Sequence, residues 1–286
     1  MTETELLFTE VLNCNRLSLY LNKDTFLDKA KSSLISGTLK RRACGEPLHY
    51  ILGKIEFMGL EFQINSDVLI PRPETEIVVE TAMKIVCRFA GLPVCRFKIL
   101  DIGTGSGCIA VSLAKFLSHA DITATDISFA ALEVAKQNSI QNNVKVNFIE
   151  SDLFANHELQ ITNYDLIVSN PPYIKTEEID ELQPELSFEP RVALDGGNDG
   201  LDFYRRIIDK APRYLKEGAF LIMEIGFDQR IAIENIFQNS GSFKAIEVIK
   251  DYSGIDRVII AQRSCQMSDV SRKSSVVSCK SQVVVS

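Results

Sequence analysis

No apolar run in the 286-residue sequence approaches the roughly 20 residues that a bilayer-spanning helix requires. The opening stretch, MTETELLFTE, is acidic and lacks the basic region and cleavage site of a signal peptide. The expectation is a cytoplasmic protein with no membrane association. Cys14, Cys44, Cys87, Cys95, Cys108, Cys265 and Cys279 are odd in number, and no two form a C-x-x-C pair. A zinc site or a disulfide framework is therefore disfavoured; reduced, mostly buried thiols and no metal are expected. Positive charge is scarce as well. A net charge of −7 does not suit a protein that grips long duplex by neutralising phosphates, so no direct nucleic-acid partner is expected. The one compact basic cluster, LKRR (Leu39 to Arg42), reads as a solvated helix end. No internal repeat is visible.

What is present is the balance of a soluble globular chain, 45% hydrophobic and 24% charged. Residues 3–53 read as helical, with Leu7, Phe8, Val11 and Leu12 at helical spacing. Asp24 is the expected N-cap of a second helix that aligns Phe26, Leu27, Ala30, Leu34 and Ile35 on one face. Residues 54–70 alternate apolar and polar around Gly59 and read as a β-hairpin. PRPETE (Pro71 to Glu76) then opens a helix over about 74–90. From KILDI (98–102) onward, strands and helices alternate. That pattern implies a doubly wound α/β sheet with ligands at the C-terminal strand ends. The last stretch, 264–286, draws 14 of its 23 residues from Ser and Val and reads as a disordered tail.

LDIGTGSGCIA follows a strand and opens a helix. Gly103, Gly105 and Gly107, with Thr104 and Ser106 between them, let the backbone turn sharply and approach a ligand closely. There is no Walker lysine, which excludes a P-loop. Asp126 ends the next strand, where a carboxylate can accept both ribose hydroxyls of a nucleoside. Asp101 either favours a cationic cofactor or braces the loop. Phe154 stands after the third strand and either packs on an adenine or belongs to the core. Together these residues resemble the S-adenosylmethionine-dependent methyltransferases of the Rossmann-like class.

VSNPPY ends the fourth strand with two consecutive prolines that remove two backbone donors. The chemistry that suits it is methylation of an amide or exocyclic amine, whose lone pair is delocalised. The Asn170 side-chain carbonyl and the Pro171 backbone carbonyl can accept both N–H hydrogens. They would then stabilise the positive charge that grows on nitrogen. Pro172 stiffens the corner, and Tyr173 offers a face for a planar group.

Several blocks carry a closer resemblance. GEPLHYILGKIEFMGLEFQI, VLIPRPETE, LDIGTGSGCIA, SNPPYI and FEPRVALDGGNDGLDFYRRII are similar to the peptide chain release factor N5-glutamine methyltransferase family, the HemK-type enzymes. The resemblance covers about residues 5–262. It implies a helical release-factor-recognition domain (1–53), a hairpin linker (54–73) and a methyltransferase domain (74–263). The implied substrate is the glutamine of the Gly-Gly-Gln loop in class 1 release factors, acted on by a monomer. By motif, Gly103 to Gly107, Asp126 and Phe154 would bind S-adenosylmethionine. Asn170 would touch cofactor and substrate, and Pro171, Pro172 and Tyr173 would form the glutamine pocket. The family usually carries a further helix before ELLFTEVLN, so the first domain reads as shortened, and the Ser/Val-rich tail is outside the pattern. Two rival readings remain. An adenine-N6 DNA methyltransferase shares N-P-P-Y but needs a target-recognition domain, for which the 113 residues after Tyr173 leave little room. A non-catalytic nucleotide-binding relative would bind cofactor and transfer nothing.

Overall fold

The computed structural model describes residues 2–21, 26–89, 96–161 and 163–265. The expected disordered tail lies outside the described residues from 266 on, and the expected N-cap Asp24 lies outside them too.

Helix α1 (Glu3–Leu12) begins with a capping box, in which Thr2 and Glu5 satisfy each other's backbone amides. The Glu5 carboxylate also accepts from the Tyr20 hydroxyl at 2.6 Å and from Arg16 at 3.0 Å, which ties α2 (Arg16–Leu21) to α1. Tyr20 first, then the Thr2 amide, hold the carboxyl down at about 2. Helix α3 (Lys29–Ala43) starts at Asp28, whose side chain accepts from the Lys31 amide. Phe26 and Leu27 thus precede the helix and are exposed, as is Leu34. The expected stripe fails because it ran the helical period back through residues that are not helical. The face that α3 buries is narrow, Ile35 and Thr38, with Ile35 set against Leu7 and Leu48. Helix α4 (Leu48–Leu52) completes this unit. The basic cluster is more than a solvated end: Arg42 pairs with Glu3 and reaches Glu185 of the larger domain.

The hairpin is shorter than its alternation suggested. Strands β1 (Lys54–Phe57) and β2 (Leu60–Gln63) pair antiparallel, with Phe57 and Phe62 edge to face at 6.0 Å. After a 3-10 turn at Pro73–Thr75 come α5 (Glu76–Phe89), β3 (Phe97–Ile102), α6 (Cys108–Phe116), β4 (Ala120–Asp126), α7 (Phe129–Gln141) and β5 (Asn147–Glu150). The chain then crosses to β6 (Tyr164–Ser169), α8 (Asp202–Lys210), β7 (Leu215–Glu224), α9 (Arg230–Ser240), β8 (Phe243–Lys250) and β9 (Asp256–Arg263).

The seven-stranded sheet has the order β5-β4-β3-β6-β7-β9-β8, parallel except where β9 pairs with β7 and β8. Its central strands are nearly continuous apolar runs, as burial on both faces demands. One face packs on α5 and α6, the other on α8 and α9. The chain leaves β3 toward β4 on one side and returns to β6 on the other. This switch of direction opens a crevice at the carboxyl ends of β3 and β6.

The cysteines depart from expectation. Cys108 is buried, but Cys44, Cys87 and Cys265 are exposed and Cys14 is half-buried. Cys44 caps the end of α3 and Cys87 lies in the last turn of α5, where a residue can face solvent. Cys95 and Cys279 lie outside the described residues.

Candidate active site

Register places Ile102 beside both Thr125 and Ser169, so the segments after β3, β4 and β6 emerge side by side. The glycine turn is pinned from β4. The Gly103 and Thr104 amides both donate to the Thr125 carbonyl, at 2.8 and 2.9 Å. Gly103 and Gly105 adopt φ of 72° and 55°, and a Cβ on either would meet nothing within 4 Å. Their backbone is therefore bared to a ligand. Gly107 has another purpose: a Cβ there would sit 3.0 Å from that of Ala135, so it lets α6 and α7 approach. Thr104 donates to Asp101 at 2.7 Å, and both are buried. Burial pushes Asp101 up to about 7. Asp101 thus braces the turn from behind.

Asp126 accepts the Gly105 amide at 2.8 Å on one oxygen and the Ser128 amide at 2.9 Å on the other. Each oxygen keeps a lone pair for a further donor. Burial raises its pKa, and the two amides oppose that. Gly103, Gly105, Asp126, Asn170, Pro171 and Pro172 all line one cavity of about 180 Å³. Thr104, Ser106 and Gly107 shape its turn without lining it. Phe154 is absent from this wall. It is 3% exposed and stacks on Tyr214 at 4.5 Å, inside the core. Leu153, held at φ 53°, lines the cavity in its place, with Ile127. Phe154→Leu is therefore expected to cost about 0.5–1.5 kcal/mol of stability through the lost ring stack. Cofactor affinity should not change; a calorimetric loss of affinity would return Phe154 to the binding site.

A second cavity, of about 640 Å³, opens between the N-terminal helices and the larger domain. Tyr173, His49, Arg72 and Glu189 are on its wall, and Asn170 and Pro171 face it as well as the first cavity. Burial pushes the Tyr173 hydroxyl up to about 12, so it stays protonated.

The loop that follows Asn170 is held by the later motif. The Ile174 amide donates to the Leu194 carbonyl at 3.0 Å, the Gly196 amide donates to the Ile174 carbonyl at 2.8 Å, and a Cβ on Gly196 would lie 2.7 Å from the Tyr173 Cα. Only glycine admits that approach. Gln229 donates to the Tyr173 carbonyl at 2.9 Å. Glu189 of FEPR, nearly fully buried, pairs with Arg72 of PRPETE at 2.5 Å. The two motifs, distant in the chain, are one structure.

Asn170 itself is supported from below: its Nδ2 donates to the Thr75 hydroxyl at 3.2 Å, which donates to Glu224 at 2.7 Å. Sequence reasoning left four of these supports unassigned: Thr75, Glu189, Glu224 and Gln229. Glu224 had a signal, since a carboxylate ending the apolar run LIME is costly to bury without a role. Among the described residues no cluster of His, Cys, Asp or Glu could hold a metal, and no helix is long and apolar enough to cross a membrane.

Comparison with known proteins agrees with this geometry. Residues 1–53 match the PrmC N-terminal domain family, and residues 89–186 match the methyltransferase small domain. A release factor glutamine methyltransferase of Geobacter sulfurreducens is 44% identical over 258 residues, spanning 90% of this chain and 87% of the relative. One from Thermodesulfovibrio yellowstonii is 40% identical, with 92% of each chain covered. Among solved structures, a methyltransferase from Pyrococcus furiosus superposes with a TM-score of 0.55 at 18% identity, covering 80% of this chain and all of the other, which speaks to fold alone. Identity at the level of the Geobacter relative, sustained across both the helical unit and the sheet, shows that the chain belongs to the release factor glutamine methyltransferase family.

Proposed function

We propose that the protein methylates N5 of the glutamine in the Gly-Gly-Gln loop of class 1 release factors, with S-adenosylmethionine as donor. One observation carries this reading: Asn170 and Pro171 form the wall shared by two cavities. Leu69 and Ala193 also line both, but their side chains are apolar, so Asn170 supplies the one polar side chain among the residues common to the two cavities.

The smaller cavity fits the donor. Bared glycine backbone, an apolar lining of Ile127 and Leu153, and the spare lone pairs of Asp126 suit a nucleoside with a free ribose diol. S-adenosylmethionine supplies a methyl group on a sulfonium. The chain would do the rest. Asp126 would hold the ribose hydroxyls. The Asn170 side-chain oxygen and the Pro171 carbonyl would accept the two N–H hydrogens of the glutamine amide. Those bonds would set the nitrogen lone pair toward the methyl and strengthen as nitrogen becomes cationic. Pro172 would keep the corner rigid, and Tyr173 would pack on the amide plane. The N–H proton becomes acidic once nitrogen is charged and leaves to water, so no buried base is required. The larger cavity lies beside the N-terminal helices, as a substrate held by both domains would need. We take the enzyme to act as a monomer in the cytoplasm.

The test offers radiolabelled S-adenosylmethionine with a class 1 release factor, its Gly-Gly-Ala variant, and an adenine-containing duplex. Label on the wild-type factor alone is the expected result. Label on the duplex would favour adenine-N6 methylation. Cofactor binding without any transfer would mark a relative that has lost its activity.

A further inference from the structure

One end of the Asn170 amide is already committed. Its Nδ2 lies 3.2 Å from the Thr75 hydroxyl, which lies 2.7 Å from a carboxylate oxygen of Glu224. Thr75 comes from the 3-10 turn before α5, and Glu224 ends β7, the strand next to β6. Both are buried, at 2% and 1% exposure. A hydroxyl has one proton, and an ionised carboxylate can only accept, so the Thr75 proton points at Glu224. The lone pairs left on Thr75 face Asn170, and only the NH₂ end can satisfy them. The two ends of an asparagine amide are nearly isosteric, so packing alone does not choose between them. A directed chain of hydrogen bonds does.

The choice decides the chemistry. With Nδ2 on Thr75, Oδ1 is free to accept an N–H of the acceptor amide. A flipped Asn170 would set donor against donor. We propose that Thr75 and Glu224 are positioning residues whose hydrogen-bond relay fixes Asn170 with its carbonyl oxygen toward the acceptor nitrogen. This rests on the reading of Asn170 as the partner of the glutamine amide.

The charge on Glu224 sets the direction of the relay. Burial pushes this carboxyl up to about 7, against the pull of the Thr75 bond. Arg257 of β9 and Arg72 favour its ionised form, Glu74 opposes it, and Tyr173 and Tyr204 flank it without charge. The Tyr204 hydroxyl is spent on the Glu224 backbone carbonyl, at 2.9 Å. Protonated, Glu224 becomes a donor and the relay can run backwards. The rate should therefore rise with pH as Glu224 ionises.

The test compares Thr75→Val, Thr75→Ser and Glu224→Gln with wild type in the full chain, using saturating release factor and S-adenosylmethionine. Thr75→Val is expected to lower kcat by about tenfold to a hundredfold, with the KM for S-adenosylmethionine within about twofold. Thr75→Ser should restore most of the loss, and Glu224→Gln should flatten the rise with pH. A kcat for Thr75→Val within about twofold of wild type, or a serine variant no better than valine, overturns the relay. The Asn170 side-chain amide resonances separate this outcome from failure of the substrate reading. Whatever the wild type methylates, one Nδ2 proton should exchange slowly and lose that protection in Thr75→Val. Equal protection in both proteins would also overturn the relay.

Discussion

Asn170→Ala lowers methyl transfer to a class 1 release factor by on the order of 10²–10³ in kcat, the scale of losing one oriented transition-state partner. The geometry says why the effect falls on kcat. Asn170 stands at the boundary of the two cavities, not deep in either, so removing it leaves most of both binding surfaces intact. Its oxygen matters most when nitrogen becomes cationic, and an interaction that strengthens only then acts on the chemical step. Single-turnover transfer with both partners saturating is the measurement. A turnover near that of wild type would remove Asn170 from the chemistry.

Asp126→Ala weakens binding of S-adenosylmethionine by about 1.5–3 kcal/mol, as expected for a lost charge-assisted hydrogen bond. Part of that loss would come through the protein itself. The carboxylate holds the Gly105 and Ser128 amides, and alanine frees both. Asp126→Asn is the milder change: the two backbone amides sit on different carboxylate oxygens, so the single oxygen of asparagine can replace only one of them, and the charge is lost with the other. Calorimetry at neutral pH reads both variants. Unchanged affinity in Asp126→Ala would refute the assignment. The pH course has a definite sign. Burial raises the pKa of Asp126, so its charged form, and the ribose contact with it, is lost earlier on acidification than an ordinary aspartate would lose it.

The alternation of strands and helices after residue 97 was legible because the central strands are nearly continuous apolar runs and helices such as α5 and α8 are amphipathic, signals that survive without tertiary context. The glycine turn, Asp126 and N-P-P-Y were legible because they rest on backbone constraints. What could not be read was burial decided by a partner far along the chain. Phe154 sits beside the nucleoside cavity in sequence, yet faces Tyr214 because Leu153 takes the left-handed conformation and turns the chain. The start of α3 was misjudged because a period can be extended past the true cap at Asp28 without penalty on paper. Thr75 and Glu224 are 149 positions apart, and no local pattern connects them.

That separation ties the Asn170 amide to elements on both sides of it in the sequence. The turn at Gly103 and the carboxylate of Asp126 belong to neighbouring strands close in sequence, so this part of the first cavity's wall rests on the pairing of β3 with β4. The Asn170 amide acquires its direction only after β7 has joined the sheet and brought Glu224 under Thr75. The loop of Tyr173 is likewise secured from Gln229, beyond β7. Through the relay, the orientation of Asn170 is a property of the assembled sheet rather than of its own loop.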